Sequence, residues 1–477
     1  MPTFSTSPLD SLRRTLSPRF APPPTPPRAL LIHGGVMLLW VLLFARAFGT
    51  GGILAWSVGL AYVFYDTALV VFVFVQTLPL ARVRPVPAPV GPLPGLGVII
   101  AARNEAASLP ATLAALARQS PPPDVIVIAD DGSDDGTAAL LGNRYGLVPG
   151  AAGPLRWLRL PRGGKARALN TALAQMTDEL VLTVDADTLL EPGALLAMQQ
   201  AFAADPALVA ATGVLFPVCA PTVSGRFFQW FQTYEYMRNF LSRYAWARQD
   251  GLLLISGAFA AYRRAPVLEV GGFDPDCLVE DYELTHRLRD MAVRRGEVWR
   301  TAVVGGAQAR TEAPGTLAAF MRQRRRWFGG FLQTQLWYRH MIGAPAYGRL
   351  GTRMLPVKAL DTMQPIYGLT SIALLALALA HGFAGPVAGV ILAKIVLDLT
   401  FYLWSLMLYR RWLGQGARVH LGWAVLAAVI EPFTFQVLRH AGAALGWVSF
   451  LSGKFLWGNP SRSTAIPITP SNAASGP

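Results

Sequence analysis

Val125-Ile126-Val127-Ile128-Ala129-Asp130-Asp131-Gly132-Ser133-Asp134-Asp135-Gly136-Thr137 is the stretch on which the fold turns. Five apolar residues, four of them β-branched, stop abruptly in a cluster of carboxylates and small turn residues. An unbroken apolar run bounded by turn signals predicts a strand buried on both faces. The same texture occurs twice more. Leu96–Ala101 runs into Ala102-Arg103-Asn104-Glu105, and Leu180–Val184 runs into Asp185-Ala186-Asp187. Helical patterns lie between these runs, and buried strands alternating with helices predict an α/β domain with a parallel sheet. Ligands of such sheets bind beyond the carboxyl ends of the strands, which is where all three acidic clusters fall.

Outward from this core, the domain is expected to span about residues 95–340, and its flanks have another character. The chain has 477 residues, 53% hydrophobic and only 15% charged, with a mean hydropathy of +0.37. Soluble proteins carry roughly 25% charged residues, so a plain soluble enzyme and a disordered chain are both excluded. Two cysteines, Cys219 and Cys277, cannot supply a disulfide scaffold. Apolar stretches at about 29–48 and 53–80 precede the domain. Others follow at 361–381, 386–408 and 419–452, the last interrupted by Glu431-Pro432 and Arg439-His440. A hydrocarbon core of about 30 Å needs a helix of about 20 residues, so five spans are expected, the fifth being one long span or a span plus a surface helix. Residues 1–28, with the run Ala21-Pro22-Pro23-Pro24-Thr25-Pro26-Pro27, read as an extended mobile tail. Residues 81–94 read as a proline-rich linker and 458–477 as a loose polar tail.

The net charge is +14, from 42 Lys+Arg against 28 Asp+Glu, and only four of the basic residues are lysines. The arginines flank apolar stretches instead of forming the runs that bind nucleic acid, so no nucleic-acid partner is expected. Arg13, Arg14, Arg19 and Arg28 precede the first span, Arg82 and Arg84 follow the second, and Arg410, Arg411 and Arg418 follow the fourth. The positive-inside rule then places the domain in the cytoplasm, with Arg46 outnumbered.

Several short constellations carry chemistry. Asp185 and Asp187, hard oxygen donors one residue apart at a strand end, can share a divalent cation with a diphosphate. A second such pair, Asp274-Pro275-Asp276, follows Gly271-Gly272-Phe273 in a turn and reads as structural. Pro161-Arg162-Gly163-Gly164-Lys165-Ala166 opens a helical stretch, Arg167–Gln175, in the manner of a phosphate loop but without Walker A spacing. Glu280-Asp281 begins another helix, where a carboxylate can be a dipole partner or a general base. Gln323-Arg324-Arg325-Arg326-Trp327 lies in an aromatic and basic stretch from Phe320 to Tyr338, which reads as an interfacial amphipathic helix with Arg322 and Arg324 snorkelling. Taken singly, each has an ordinary structural reading as a capped turn, a solvated loop or a helix start.

In order, however, Asp130-Asp131-Gly-Ser, Gly-Gly-Lys, Asp185-x-Asp187, Glu280-Asp281 and Gln-x-x-Arg-Trp resemble the signature of family-2 glycosyltransferases. The likeness is closest to the membrane-embedded branch, which includes bacterial poly-N-acetylglucosamine, hyaluronan and cellulose synthases. It implies an α/β GT-A domain, a Rossmann-like nucleotide-diphospho-sugar transferase inserted between transmembrane helices of a bacterial-type inner membrane, with the active site cytoplasmic. It implies a UDP-sugar donor and Mg²⁺ or Mn²⁺. Asp130, with Asp131 and Glu105 beside it, would hold the uracil and ribose, and Lys165 would face the diphosphate. Asp185 and Asp187 would position the metal and the donor sugar. Asp281, adjoining Glu280, would be the general base. Gln323, Arg326 and Trp327 would lie by the diphosphate and the acceptor, near an acceptor-side turn at Ser256-Gly257. Ala101 stands where many members have proline, and Val279 where threonine often precedes Glu-Asp. With a single carboxylate base assigned, the resemblance implies one displacement with inversion.

The acceptor is expected to be a growing polysaccharide. A lipid acceptor taking one sugar is the first alternative, and a non-catalytic membrane adaptor the second. An accessory membrane subunit would fit either enzyme. Asp66, Lys394, Asp398 and Glu431 fall at membrane depth and read as either a sugar-lined path or packing pairs. The aromatic run around Trp230, Phe231, Tyr234, Tyr236 and Tyr244 reads as a packing helix, and His286 as the polar face of another.

Overall fold

A computed structural model describes residues 8–49, 57–82, 91–413 and 421–453. The expected tail at 458–477, Arg84, Arg418 and most of the proline-rich linker lie outside the described residues. Eight strands form one sheet: β1 (Leu96–Ala102), β2 (Val125–Asp131), β3 (Leu155–Leu160), β4 (Leu180–Asp185), β5 (Thr188–Leu190), β6 (Leu208–Val218), β7 (Phe259–Arg263) and β8 (Arg300–Glu312). Their order is β3-β2-β1-β4-β7-β6-β8-β5. The first four are mutually parallel, whereas β7 runs antiparallel between β4 and β6.

Both faces of the parallel half are covered, which is why its strands are apolar throughout. Val98 and Ile100 point to one face with Leu109 and Leu113 of the Leu109–Ala117 helix. Ile99 and Val127 point to the other, with Ala168, Leu169 and Leu173 of the Lys165–Ala174 helix. In register, Ala102 lies opposite Asp130, and Ala101 opposite Asp185. The ends of β1, β2 and β4 therefore open on one crevice. Order reverses at β1, the position where open α/β sheets bind ligands.

Of the expected mobile tail, residues 8–28 are described and are docked on the domain. Pro8–Leu16 is a helix with Leu9 and Arg13 buried against the domain. Arg13 Nη1 donates to the carbonyls of Gly271 (3.2 Å) and Phe273 (3.0 Å), and Arg19 Nη1 lies 3.2 Å from Asp274 and 3.0 Å from Asp276. Two of the arginines that sequence reading placed at a membrane surface, Arg13 and Arg19, serve this docking, and Asp274-Pro275-Asp276 is structural in just this sense.

Among the described residues, Phe64–Ala81 and Ala384–Leu413 are long and apolar enough to cross a membrane. Two bent pairs raise the number to four if each is one span. These are Leu350–Asp361 with Gln364–Ala380, at 43°, and Leu421–Phe433 with Phe435–Leu451, at 49°. Among the described residues, the Pro27–Gly49 helix is apolar over the shorter Pro27–Leu42. The break in the last pair falls at Glu431-Pro432, since proline lacks the N–H that would continue the helix.

The Val223–Ala247 helix carries the aromatic run and joins the domain to these apolar helices. Phe231 stacks on Phe435 at 5.3 Å, Trp230 meets Trp423 at 5.3 Å, and Tyr234 meets Tyr402 at 5.6 Å. The polar groups at membrane depth are paired. Lys394 Nζ lies 2.6 Å from Asp66 and 2.5 Å from Asp398, while Glu431 pairs with Arg238 at 2.5 Å.

Candidate active site

The crevice floor is built from the ends of β1 and β2. Asp130 is buried, and one of its oxygens accepts the Ser133 N–H at 2.9 Å. Its other oxygen, Oδ2, is buried with no hydrogen-bond partner. A buried carboxylate oxygen without a donor awaits one, and an imide N–H of a base would supply it. The loop after β1 is latched to the one after β2. Asn104, in the left-handed region at φ 59°, exchanges hydrogen bonds with Asp134 at 2.7 and 3.0 Å, and the Glu105 N–H donates to the Thr137 hydroxyl at 2.9 Å. Glu105 is buried and its carboxylate accepts from the Ser108 hydroxyl at 2.6 Å.

Asp131 faces the glycine loop. Its carboxylate accepts the N–H of Gly163 at 2.6 Å and of Gly164 at 2.9–3.0 Å. Both oxygens are engaged by the glycine loop, so Asp131 holds that loop in place. The loop delivers Lys165 to the crevice. Its Nζ lies 2.5 Å from Asp185 and 3.7 Å from Glu280. Burial alone would lower the Lys165 ammonium, but the charges of Asp185, Glu280 and Asp281 outweigh it and hold the group above the usual lysine range. Burial in turn pushes the Glu280 carboxyl up, with Lys165 opposing.

Asp281 sits at the start of the Glu280–Arg295 helix. Its Oδ2 accepts the Gly257 N–H at 2.6 Å and its Oδ1 the Tyr282 N–H at 2.8 Å. A Cβ on Gly257 would lie 3.0 Å from that oxygen, so the Ser256-Gly257 turn approaches as closely as glycine allows. The Leu317–Trp337 helix closes the site from the other side. Arg326 Nη1 donates to the Leu278 carbonyl at 3.0 Å, beside Glu280, and Gln323 Oε1 is buried without a partner. Val279 packs on Gly330, whose Cβ would lie 2.6 Å from a Val279 methyl, and so offers the acceptor no hydroxyl.

Two expectations are corrected here. Arg324 does not snorkel: it is buried and pairs with Glu235 at 2.6 Å, its guanidinium 4.6 Å from the Trp327 ring centre. His286 is not on a polar face. It is buried 4.4 Å from the Tyr282 ring and 5.2 Å from Tyr338.

Residues 94–330 match the sequence profile described as Glycosyltransferase like family 2. The chain carries a family 2 glycosyltransferase domain. Poly-beta-1,6-N-acetyl-D-glucosamine synthase of Staphylococcus aureus is 28% identical over 240 residues, covering 50% of this chain and 55% of that protein. The Staphylococcus epidermidis counterpart is 26% identical over 281 residues, covering 58% and 61%. The chain thus spans little more than half the length of these relatives. In fold, it is similar to a mannosyltransferase from Pyrobaculum calidifontis solved with GDP-Man and Mn²⁺, with a TM-score of 0.54, 22% identity, and coverage of 89% of this chain and 100% of that one. The transferase domain is GT-A.

A divalent metal fits this domain's residues. Burial pushes the Asp187 carboxyl up to about 7, and the neighbouring charges of Asp185 and Glu312 add to the shift. Such crowded, hard oxygen donors are relieved by a divalent cation. Among the described residues no group of three or more His, Cys, Asp or Glu forms a ligand cage.

Sequence reading missed Asn170 and Glu235. Asn170 ties the lysine helix to Phe273 by two hydrogen bonds, 2.7 and 2.8 Å. Glu235, which pairs with Arg324, lies on the aromatic helix, whose packing residues mask it.

Proposed function

We propose that the transferase domain moves a sugar from a UDP-sugar to the end of a growing polysaccharide, with inversion, at the cytoplasmic face of a membrane that the apolar helices cross. The observation that carries this reading is the convergence of Lys165, Asp185, Glu280 and Asp281, with the Lys165 ammonium 2.5 Å from Asp185 and 3.7 Å from Glu280. A cation and carboxylates carried by separate elements share one crevice, which supports the reading.

Asp130, through its free Oδ2, would accept from the base, and the latched Glu105 loop would border the ribose. Asp185 and Asp187 would hold Mg²⁺ or Mn²⁺, which when bound neutralises diphosphate charge. Asp281, oriented by the Gly257 and Tyr282 N–H groups, removes the acceptor hydroxyl proton as that oxygen bonds to the anomeric carbon. The bond from this carbon to the UDP oxygen breaks on the opposite face. Charge developing on UDP is met by Lys165 and Arg326. Trp327 presents a stacking surface to the acceptor sugar. One base and one displacement give inversion.

The relatives' product suggests UDP-N-acetylglucosamine as the first donor to test. UDP release by the full chain in detergent, across a panel of UDP-sugars, should occur with one donor and fall about 10²- to 10⁴-fold in Asp281→Asn, the usual weight of a general base. A ladder of long products identifies polymer synthesis, and a single glycolipid identifies lipid transfer. A folded protein that releases UDP from no donor refutes the transferase reading and returns the adaptor.

A further inference from the structure

Lys165 and Asp281 reach the crevice on two different helices, Lys165–Ala174 and Glu280–Arg295. Both helices hold the same short turn, Val270-Gly271-Gly272-Phe273. Asn170, on the lysine helix, makes a reciprocal pair with the Phe273 backbone. Its Nδ2 donates to the Phe273 carbonyl at 2.8 Å, and its Oδ1 accepts the Phe273 N–H at 2.7 Å. Arg287, on the helix that opens with Glu280-Asp281, grips the turn as well. Its Nη1 donates to the Val270 carbonyl and its Nη2 to the Gly272 carbonyl, the latter at 2.7 Å.

The contact has no slack. Gly272 has φ 67°, and a Cβ there would lie 2.4 Å from the Asn170 Oδ1. The Arg287 side chain is 1% exposed, and its Nε and Nη2 lie 3.1 and 2.7 Å from the two carboxylate oxygens of Glu283, also buried. Glu283 Oε1 accepts in addition from the Tyr338 hydroxyl at 2.7 Å. Apolar residues of similar volume often stabilise a fold as well as a buried ion pair does. What they cannot supply is direction: a planar guanidinium fixes several acceptors at set angles. Held by Glu283, the Arg287 fork presents two donors to two carbonyls of one turn.

Building on the glycosyl-transfer reading, we propose that Asn170 and Arg287 are positioning residues, which clamp the 270–273 turn between the two helices and so fix the Lys165 ammonium relative to Asp281. In that reading Lys165 meets the leaving diphosphate and Asp281 the attacking hydroxyl, so the clamp sets the separation of the two ends of the displacement. A misplacement of about 1 Å in such a geometry costs on the order of 10²-fold in rate. Asp130, which would hold the base, ends β2 and takes no part in the clamp.

The test uses the full chain in detergent with Mn²⁺. UDP affinity is measured by calorimetry, and that of uridine, which lacks the diphosphate, by its displacement of UDP. Asn170→Ala should weaken UDP binding about 5- to 20-fold, part of the worth of a charge-assisted hydrogen bond, and leave uridine binding unchanged within about twofold. Arg287→Lys keeps a cation beside Glu283 but cannot span both carbonyls, and should show a smaller loss of the same kind. Hydrogen exchange supplies a readout without ligand: in Asn170→Ala the Lys165–Ala174 amides should exchange faster, with those of β2 unchanged. Equal losses of UDP and uridine affinity, or faster exchange in β2, would reduce Asn170 to a structural residue and overturn the proposal. Unchanged UDP affinity in both variants, with the wild type binding UDP, would overturn the clamp alone. A wild type that binds no UDP would overturn it together with the transferase reading.

Discussion

Arg13→Ala should undock the N-terminal segment while leaving the sheet intact. The Arg13 side chain is almost fully buried, with Nη1 giving 3.2 and 3.0 Å hydrogen bonds to the Gly271 and Phe273 carbonyls, Nε 3.9 Å from Asp274, and an ion pair to Asp10. Hydrogen bonds from a charged group contribute about 1.5–3 kcal/mol each, so removing the two carbonyl contacts costs about 3–6 kcal/mol. A nine-residue helix has little stability of its own in water, so the loss falls on docking. At 1.4 kcal/mol per factor of ten, the bound population relative to the undocked one falls by about 10² or more. Hydrogen exchange on the full chain reads this directly through the amides of residues 9–17, including the Ser17 N–H that donates to the Arg13 carbonyl at 2.8 Å. Phe273 is also held by Asn170 on the helix that begins with Lys165. Undocking should therefore raise the donor KM several-fold with a smaller change in kcat. Unchanged protection of residues 9–17 in Arg13→Ala would refute the reasoning.

Three other outcomes are expected. Chelation of divalent metal should abolish UDP release, and Mn²⁺ or Mg²⁺ should restore it in the wild type but not in Asp187→Asn; full activity in chelator would count against a metal at Asp185 and Asp187. Acid should destabilise the domain through His286, whose buried ring is pushed down to about 4 chiefly by burial, its Nδ1 facing the Tyr282 carbonyl at 2.8 Å. Because the folded value lies below the unfolded one near 6.5, this contribution is complete above pH 6.5, shrinks as pH falls toward 4, and amounts to a loss of about 2 kcal/mol at pH 5. Thermal unfolding at pH 7.5 and pH 5 should show that loss, reduced in His286→Gln; equal shifts in both proteins would assign it elsewhere. Finally, Gly446→Leu should lower both the thermal midpoint and UDP release, since a Cβ there would lie 2.7 Å from Phe328 and 2.9 Å from the Gly329 nitrogen, and overpacking costs about 1–3 kcal/mol. Gly422→Leu, where a Cβ meets nothing within 4 Å, is the matched control and should be neutral.

The parallel half of the sheet was legible because strands buried on both faces are apolar at every position. β1, β2 and β4 fall where the apolar runs are, differing only by one or two residues at their carboxyl ends. β3, in Leu155-Arg156-Trp157-Leu158-Arg159-Leu160, carries two arginines because it is an edge. β8 is interrupted by Gly305-Gly306, and β6 contains Gly213, over which the Phe259 ring closes to 2.1 Å from a notional Cβ. Those strands are shaped by their neighbours and not by their own periodicity, so they were not visible. The site was legible for a related reason: Asp130, Asp185 and Asp281 each stand at the end of an element, where the change from apolar to acidic is abrupt. The tie from Asp131 to the glycine loop was not legible because adjacent carboxylates look alike in sequence, while the pleat directs them to opposite sides. The N-terminal helix was hidden by the proline run beyond it, and Arg13 resembled any basic residue preceding an apolar stretch.

The three consecutive arginines before Trp327 show how the catalytic crevice and the apolar helices depend on one another. Successive residues on a helix point about 100° apart, so one short run addresses several neighbours. Arg324 reaches Glu235 on the aromatic helix and covers one face of Trp327. Arg326 reaches the Leu278 carbonyl beside Glu280. The Arg325 carbonyl and the Gly329 nitrogen lie against Gly446 of the last helix, and a Cβ on Gly442 would lie 2.7 Å from that of Arg324. Glycines at 442 and 446, four apart and so on one face, let the two helices approach backbone to backbone. The helix that presents Trp327 to the crevice is thereby the same one that the C-terminal helix grips. A displacement of that helix by an ångström would move the stacking surface by a similar amount, while the donor side, anchored by Asp131 and Asn170 to the sheet, would stay in place. Under the proposed function, the acceptor half of the site would be built on the helix that the last apolar helix grips and the donor half on the sheet, with Asp281 between them.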